Sequence, residues 1–199
     1  MTEDSPWSHS LGRNNVAAIG HSLGGWSVMQ LAGAEVDIAA FDQFCAENPS
    51  NTQRTCGLST ELGLDTPLNT ELKSENRSDV RVTHVVSLDL GLARSFSSQS
   101  LNQIKTKTLI IAAGIDTGDL PQEIESGYLA DQIPMGYRQY LIFDEAMHFS
   151  FIQECKPNAV AILNEEVPGD GIICKDGKDT TRNAIHNKAA REVLAFLDQ

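Results

Sequence analysis

The sequence has no apolar run of about 18 residues, so no membrane-spanning helix is expected. Basic residues are scarce: 15 Lys and Arg stand against 27 Asp and Glu, a formal net charge of -12. Nucleic-acid binders present a basic face, so nucleic acid and anionic membrane surfaces are poor partners for this chain. The acidity itself speaks to solubility rather than to fold. There is no C-x-x-C, H-x-x-x-H or HExxH, and the acidic residues are scattered, so no metal site is expected. No G-x-G-x-x-G follows a strand-like run, and no cofactor is expected. The opening MTEDSPWSHSLGRNN lacks the basic and apolar regions of a signal peptide, so no export address is expected in this chain.

Cysteines number four, in a close pair, Cys45 and Cys56, and a looser pair, Cys155 and Cys174. That pattern suggests the disulfides Cys45–Cys56 and Cys155–Cys174, with four reduced thiols as the alternative. If they are paired, the protein or its parent was made for an oxidising compartment.

With 199 residues and 41% hydrophobic content, 1–199 reads as a single globular domain with a real core. Residues 15–20, NVAAIG, form a short apolar run ending in Gly and read as a buried parallel strand. A helix is expected from Gly24 to about Gly33, where Trp26, Val28, Met29, Leu31 and Ala32 recur at helical spacing. Residues 35–41, EVDIAAF, read as a second strand. The polar stretch 42–80 reads as a long loop excursion with room for one short helix. Strands are expected over 81–88, 107–113 and 139–143, with a loop over 89–103. Helices are expected near 122–132, 151–158 and 180–197. Apolar strands alternating with helices predict an α/β fold with a mostly parallel sheet flanked by helices.

Between the first strand and first helix lies Gly20-His21-Ser22-Leu23-Gly24, which fits G-x-S-x-G. A sharp strand-to-helix turn would push the Ser22 hydroxyl out of the sheet, and Gly20 and Gly24 are expected to keep that turn uncrowded. The Leu23 amide, at a helix N-terminus, can face a developing oxyanion. The bland alternative is an ordinary Gly-rich turn. A serine nucleophile needs a base, and the base an orienting acid, in the chain order Ser, acid, His. His148, in the FDEAMHFSF loop after a strand, suits the base better than His186, which lies inside the last helix. The acid is expected after KTLIIAA at Asp116, with Asp119 as the alternative. Asp144 follows the same strand as His148 and is expected to point elsewhere. Trp26, Phe149 and Phe151 are candidates to line an acyl pocket, although such residues are more often core.

GHSLGG, IDTGD and MHFSF together resemble the α/β-hydrolase superfamily. HFSF with Cys155, then Cys174-Lys175-Asp176, then RNAIH, resembles secreted bacterial dienelactone-hydrolase-like proteins related to platelet-activating-factor acetylhydrolases. The resemblance runs from about Arg13 to Leu197. It implies hydrolysis of carboxylic esters, with short acyl groups or polyester-like substrates, in a periplasmic or secreted setting. It puts Ser22, Asp116 and His148 at catalytic positions. Cys155 and Cys174 fall where such proteins carry cysteines.

The departure lies at the N-terminal side. Such proteins have several strands and helices before the elbow strand, whereas here the motif begins at Gly20. The chain is therefore expected to be the C-terminal part of an α/β-hydrolase fold, either a piece of a longer exported enzyme or a reduced form. The loop that normally gives the second oxyanion amide is expected to be missing. The NVAAIG strand is expected to expose an apolar edge, coverable by a second copy in a homodimer, by residues 1–14 or by 42–80. Two functional expectations follow. One is a serine ester hydrolase. The other is a truncated hydrolase-like domain, weak or inactive, that serves in binding or assembly.

Overall fold

Four strands lie side by side. β1 (Val16–His21), β2 (Val82–Leu88), β3 (Lys107–Ala113) and β4 (Arg138–Phe143) form one all-parallel sheet in the order β1-β2-β3-β4. The computed structural model describes residues 15–48, 53–61, 63, 76–116 and 121–199. Around the strands run α1 (Leu23–Leu31), α2 (Ile38–Glu47), α3 (Gln53–Glu61), α4 (Ser98–Asn102), α5 (Ser126–Gln132), α6 (Ala159–Glu166) and α7 (Arg182–Leu197). Parallel strands need crossovers, and helices supply them, covering both sheet faces.

The two faces sort by strand alternation. Val85 and Ile110 join a cluster with Val28 and Met29 of α1, Leu101 of α4 and Leu129 of α5. Val86, Leu109 and Ile111 point the other way and pack with Ile185 and Phe196 of α7. β2 and β3 are the central strands and β3 is buried along nearly its whole length. β1 is an edge: Val16 is 40% and Ile19 50% exposed, so the expected parallel strand forms but is not buried.

Cross-strand register sets the C-terminal ends of the strands level. His21 lies beside Leu88, Leu88 beside Ile111, and Ala113 beside Phe143. Whatever follows each strand therefore meets at one edge of the sheet, where open α/β folds gather functional groups.

Several expectations are corrected. Residues 35–41 are not a strand: Val36 makes a single antiparallel bridge to Phe96, and α2 begins at Ile38. The local cap decides this, because the Asp37 carboxylate accepts the Ala40 N–H at 3.0 Å. The predicted loop 89–103 contains a 3-10 turn, Ala93–Ser95, and α4, which Ser97 caps. The helix expected at 122–132 starts only at Ser126. The helix expected at 151–158 is replaced by a 3-10 turn, His148–Phe151, and α6 begins only after its N-terminal flanking residue Asn158, which has φ 68°. Within the excursion, α2 runs on to Glu47 and α3 occupies 53–61; residues 1–14, 49–52, 62 and 64–75 lie outside the described residues.

Both predicted disulfides are present, Cys45–Cys56 joining α2 to α3 and Cys155–Cys174 closing the loop around α6. They are consistent with an oxidising, extracellular setting. Among the described residues no helix is long and apolar enough to cross a membrane.

Candidate functional site

β1 ends at His21, and the next residue turns sharply. Ser22 has φ 54° and ψ -120°, a backbone conformation L-residues avoid. Two bonds hold it there. Its N–H donates to the Leu88 carbonyl at 3.0 Å, and its own carbonyl accepts the Trp26 N–H at 3.1 Å, closing the first turn of α1. Gly20 permits the turn because a Cβ there would collide with the Gly24 carbonyl. Gly24, expected to matter equally, has open space at its Cβ position. Gly25 is the second constrained glycine: a Cβ would come within 2.9 Å of Leu90 and of the Ser87 hydroxyl.

His148 reaches the turn from the far edge strand. Its Nε2 lies 3.1 Å from Ser22 Oγ. Its Nδ1 lies 2.7 Å from Asp89 Oδ2. The acid on the imidazole is therefore Asp89, not the expected Asp116. Asp116 is exposed beyond the end of β3, and Asp119 lies outside the described residues. Asp89 is buried, and its other oxygen, Oδ1, accepts the Ala113 N–H at 2.8 Å. Its own N–H donates to the Ile111 carbonyl at 2.7 Å, and it too has a positive φ, 43°. Both carboxylate oxygens are thus engaged and the side chain is fixed in one direction.

The sequence expectation puts the acid after the strand preceding β4, which is β3. The register shows why β2 serves instead: β2 is the neighbour of β1, so Asp89 starts beside Ser22. The available signal was an Asp immediately after a buried VVSL run.

The turn carrying His148 is anchored from behind. The Met147 N–H donates to Ser150 Oγ at 2.9 Å, and Ser150 donates to Asp176 at 2.6 Å. Buried Arg182 pairs with the same Asp176 at 3.2 Å and donates to the carbonyls of Gln153, Ile173 and Lys175. The alternative base, His186, instead donates to the Ile152 carbonyl at 2.9 Å.

His21 flanks the group. Its Nε2 lies 2.8 Å from the His148 carbonyl oxygen, and the two rings are 4.7 Å apart. Burial, then the neighbouring His148, pushes its pKa down to about 4, so the ring is neutral near pH 7. Beneath the acid-bearing turn, Glu125 is fully buried. It accepts the Ala93 N–H at 2.6 Å and the Thr55 hydroxyl at 2.9 Å, and burial raises its carboxyl to about 7.

Of the other predicted residues, Leu23 opens α1, where helical amides have no partner within the helix. The Trp26 indole N–H donates to Ser95 Oγ at 2.8 Å, and its ring stacks on Phe96 against the α1-side core. Phe149 is half-buried and meets the His148 ring edge-on at 5.0 Å. Phe151 packs into the α7-side core. Among the described residues no group of three or more His, Cys, Asp and Glu side chains is gathered to hold a metal.

Chemically, a hydroxyl, an imidazole and a buried carboxylate in line can move a proton from the hydroxyl and hold the resulting imidazolium. The chain matches no protein-family model and no curated protein.

Proposed function

We propose that the chain is a serine hydrolase of the α/β-hydrolase type, cleaving carboxylic esters through an acyl-enzyme. The observation that carries this reading is the continuous relay from Ser22 Oγ through His148 to Asp89, with steps of 3.1 and 2.7 Å, on a strained strand-to-helix turn. Ser22 Oγ attacks the acyl carbon while its proton passes to His148 Nε2. Asp89 orients the imidazole and balances its charge. The Leu23 N–H, at the positive end of α1, faces the developing oxyanion. The ester C–O bond then breaks as Nε2 returns the proton to the leaving alkoxide oxygen. Water repeats both steps on the acyl-enzyme, releasing the carboxylic acid and restoring Ser22.

The resemblance favours short acyl groups or polyester-like esters as substrates, in a periplasmic or secreted setting, which the two disulfides suit. The test is hydrolysis of p-nitrophenyl acetate and butyrate by the wild type and by Ser22→Ala. Near-complete loss in the variant is expected; equal rates would end the enzyme reading.

A second reading, a hydrolase-like domain used for binding or assembly, is favoured by the open edge of β1, where Val16 and Ile19 are exposed. A homodimer through that edge would cover both. Light scattering at micromolar concentration is expected to report a dimer, and a monomer rules out that homodimer.

A further inference from the structure

We propose that His21 is a positioning residue for His148, acting by donating its Nε2–H to the His148 backbone carbonyl. This inference rests on the ester-hydrolase reading and adds a part to the same site.

The bond ties together the two groups whose separation matters. His21 is the last residue of β1 and directly precedes Ser22, and its backbone is held in register beside Leu88. His148 arrives on a turn beyond β4, at the other edge of the sheet. Apart from the proton-transfer contact itself, the 2.8 Å bond from His21 is a direct link from the elbow to the base-bearing residue. Phe151, from the same turn, lies against the His21 ring at 5.9 Å and limits its rotation.

The acceptor fixes the chemistry. A carbonyl oxygen can only accept, so Nε2 must carry the proton. The ionisable groups facing His21 are His148 and Asp89, and burial outweighs the Asp89 attraction. The ring therefore stays neutral, with its single proton on Nε2. A charged ring would oppose the imidazolium that His148 must become; a neutral donor does not. The position thus calls for a neutral side chain that donates one hydrogen bond.

Two near-isosteric variants separate these demands. In H21Q the amide can donate to the same carbonyl. In H21M the side chain packs but cannot donate. On a p-nitrophenyl ester, H21M is expected to lose about 10–100-fold in kcat with KM within about twofold, since misplacement by about 1 Å can cost that much. H21Q is expected to recover most of the loss. H21F serves as the non-donor if H21M does not fold. A readout independent of turnover is the far-downfield proton resonance of His148 Nδ1–H bonded to Asp89. It is expected to be sharp in the wild type and H21Q and broadened in the non-donor variant. A folded non-donor variant with wild-type kcat and an unchanged resonance overturns the proposal. If the wild type itself turns over no ester, the hydrolase reading fails, and the resonance still decides the role of His21.

Discussion

Asp89 and His148 are 59 residues apart in the chain and 2.7 Å apart in space. The contact crosses the sheet, from the end of a central strand to a turn beyond its edge. Asp89 holds one orientation because its second oxygen is occupied by the Ala113 N–H. An amide in its place would present a donor to one of those partners and favour the wrong imidazole tautomer. Asp89→Asn is expected to lower kcat by about 10⁴-fold with little change in fold. Asp116→Asn, at an exposed position, is expected to stay within about threefold of wild type. Steady-state kinetics on one ester substrate distinguishes the two acids, and the reverse ranking would return the role to Asp116.

Stability between pH 4 and 7 should carry two opposed contributions. The folded pKa of His21, about 4, lies below its ordinary 6.5, so the folded state binds fewer protons there. Its contribution is present above about pH 6.5 and is lost as pH falls toward 4. The folded pKa of Glu125, about 7, lies above its ordinary 4.5, so the folded state binds more protons. Its contribution is present below about pH 4.5 and is lost as pH rises through 7. Each spans about 3 kcal/mol at most, at about 1.4 kcal/mol per pH unit. Urea unfolding at pH 4.5, 5.5 and 6.5 is expected to give stability rising with pH in Glu125→Gln and falling with pH in His21→Gln, both relative to wild type. Profiles parallel to wild type would contradict both assignments.

The glycines of the motif should not be equivalent. Gly20→Ala puts a methyl group into the Gly24 carbonyl and within 2.7 Å of the Gly25 nitrogen. Backbone must move, and a loss of about 1–3 kcal/mol is expected. Gly24→Ala meets no heavy atom within 4 Å and lies in a helix, where Ala is favoured by up to about 1 kcal/mol. Thermal melts of the two variants should move in opposite directions; a larger loss at Gly24 would refute the assigned crowding.

Local patterns carried much of the architecture. An apolar run closed by Gly marked β1, and the unbroken KTLIIAA marked β3, because central parallel strands are apolar on both faces. Close sequence pairing identified both disulfides. The site acid was harder to read, because spatial neighbours are not sequence neighbours. Asp89 is not legible as the acid because strand order, which brings β2 beside β1, is not written in either strand. At 35–41 the sequence reads as a strand, but the Asp37 cap commits Ile38 and Phe41 to the buried side of a helix.

The central claim is that Ser22 is an activated nucleophile. Incubation with a fluorophosphonate, followed by intact-mass and peptide mass spectrometry, tests it without knowledge of the natural ester. The wild type is expected to gain one phosphonyl adduct on Ser22, Asp89→Asn to react far more slowly, and Ser22→Ala to gain none. An unmodified wild type, or equal labelling of Ser22→Ala, would contradict it.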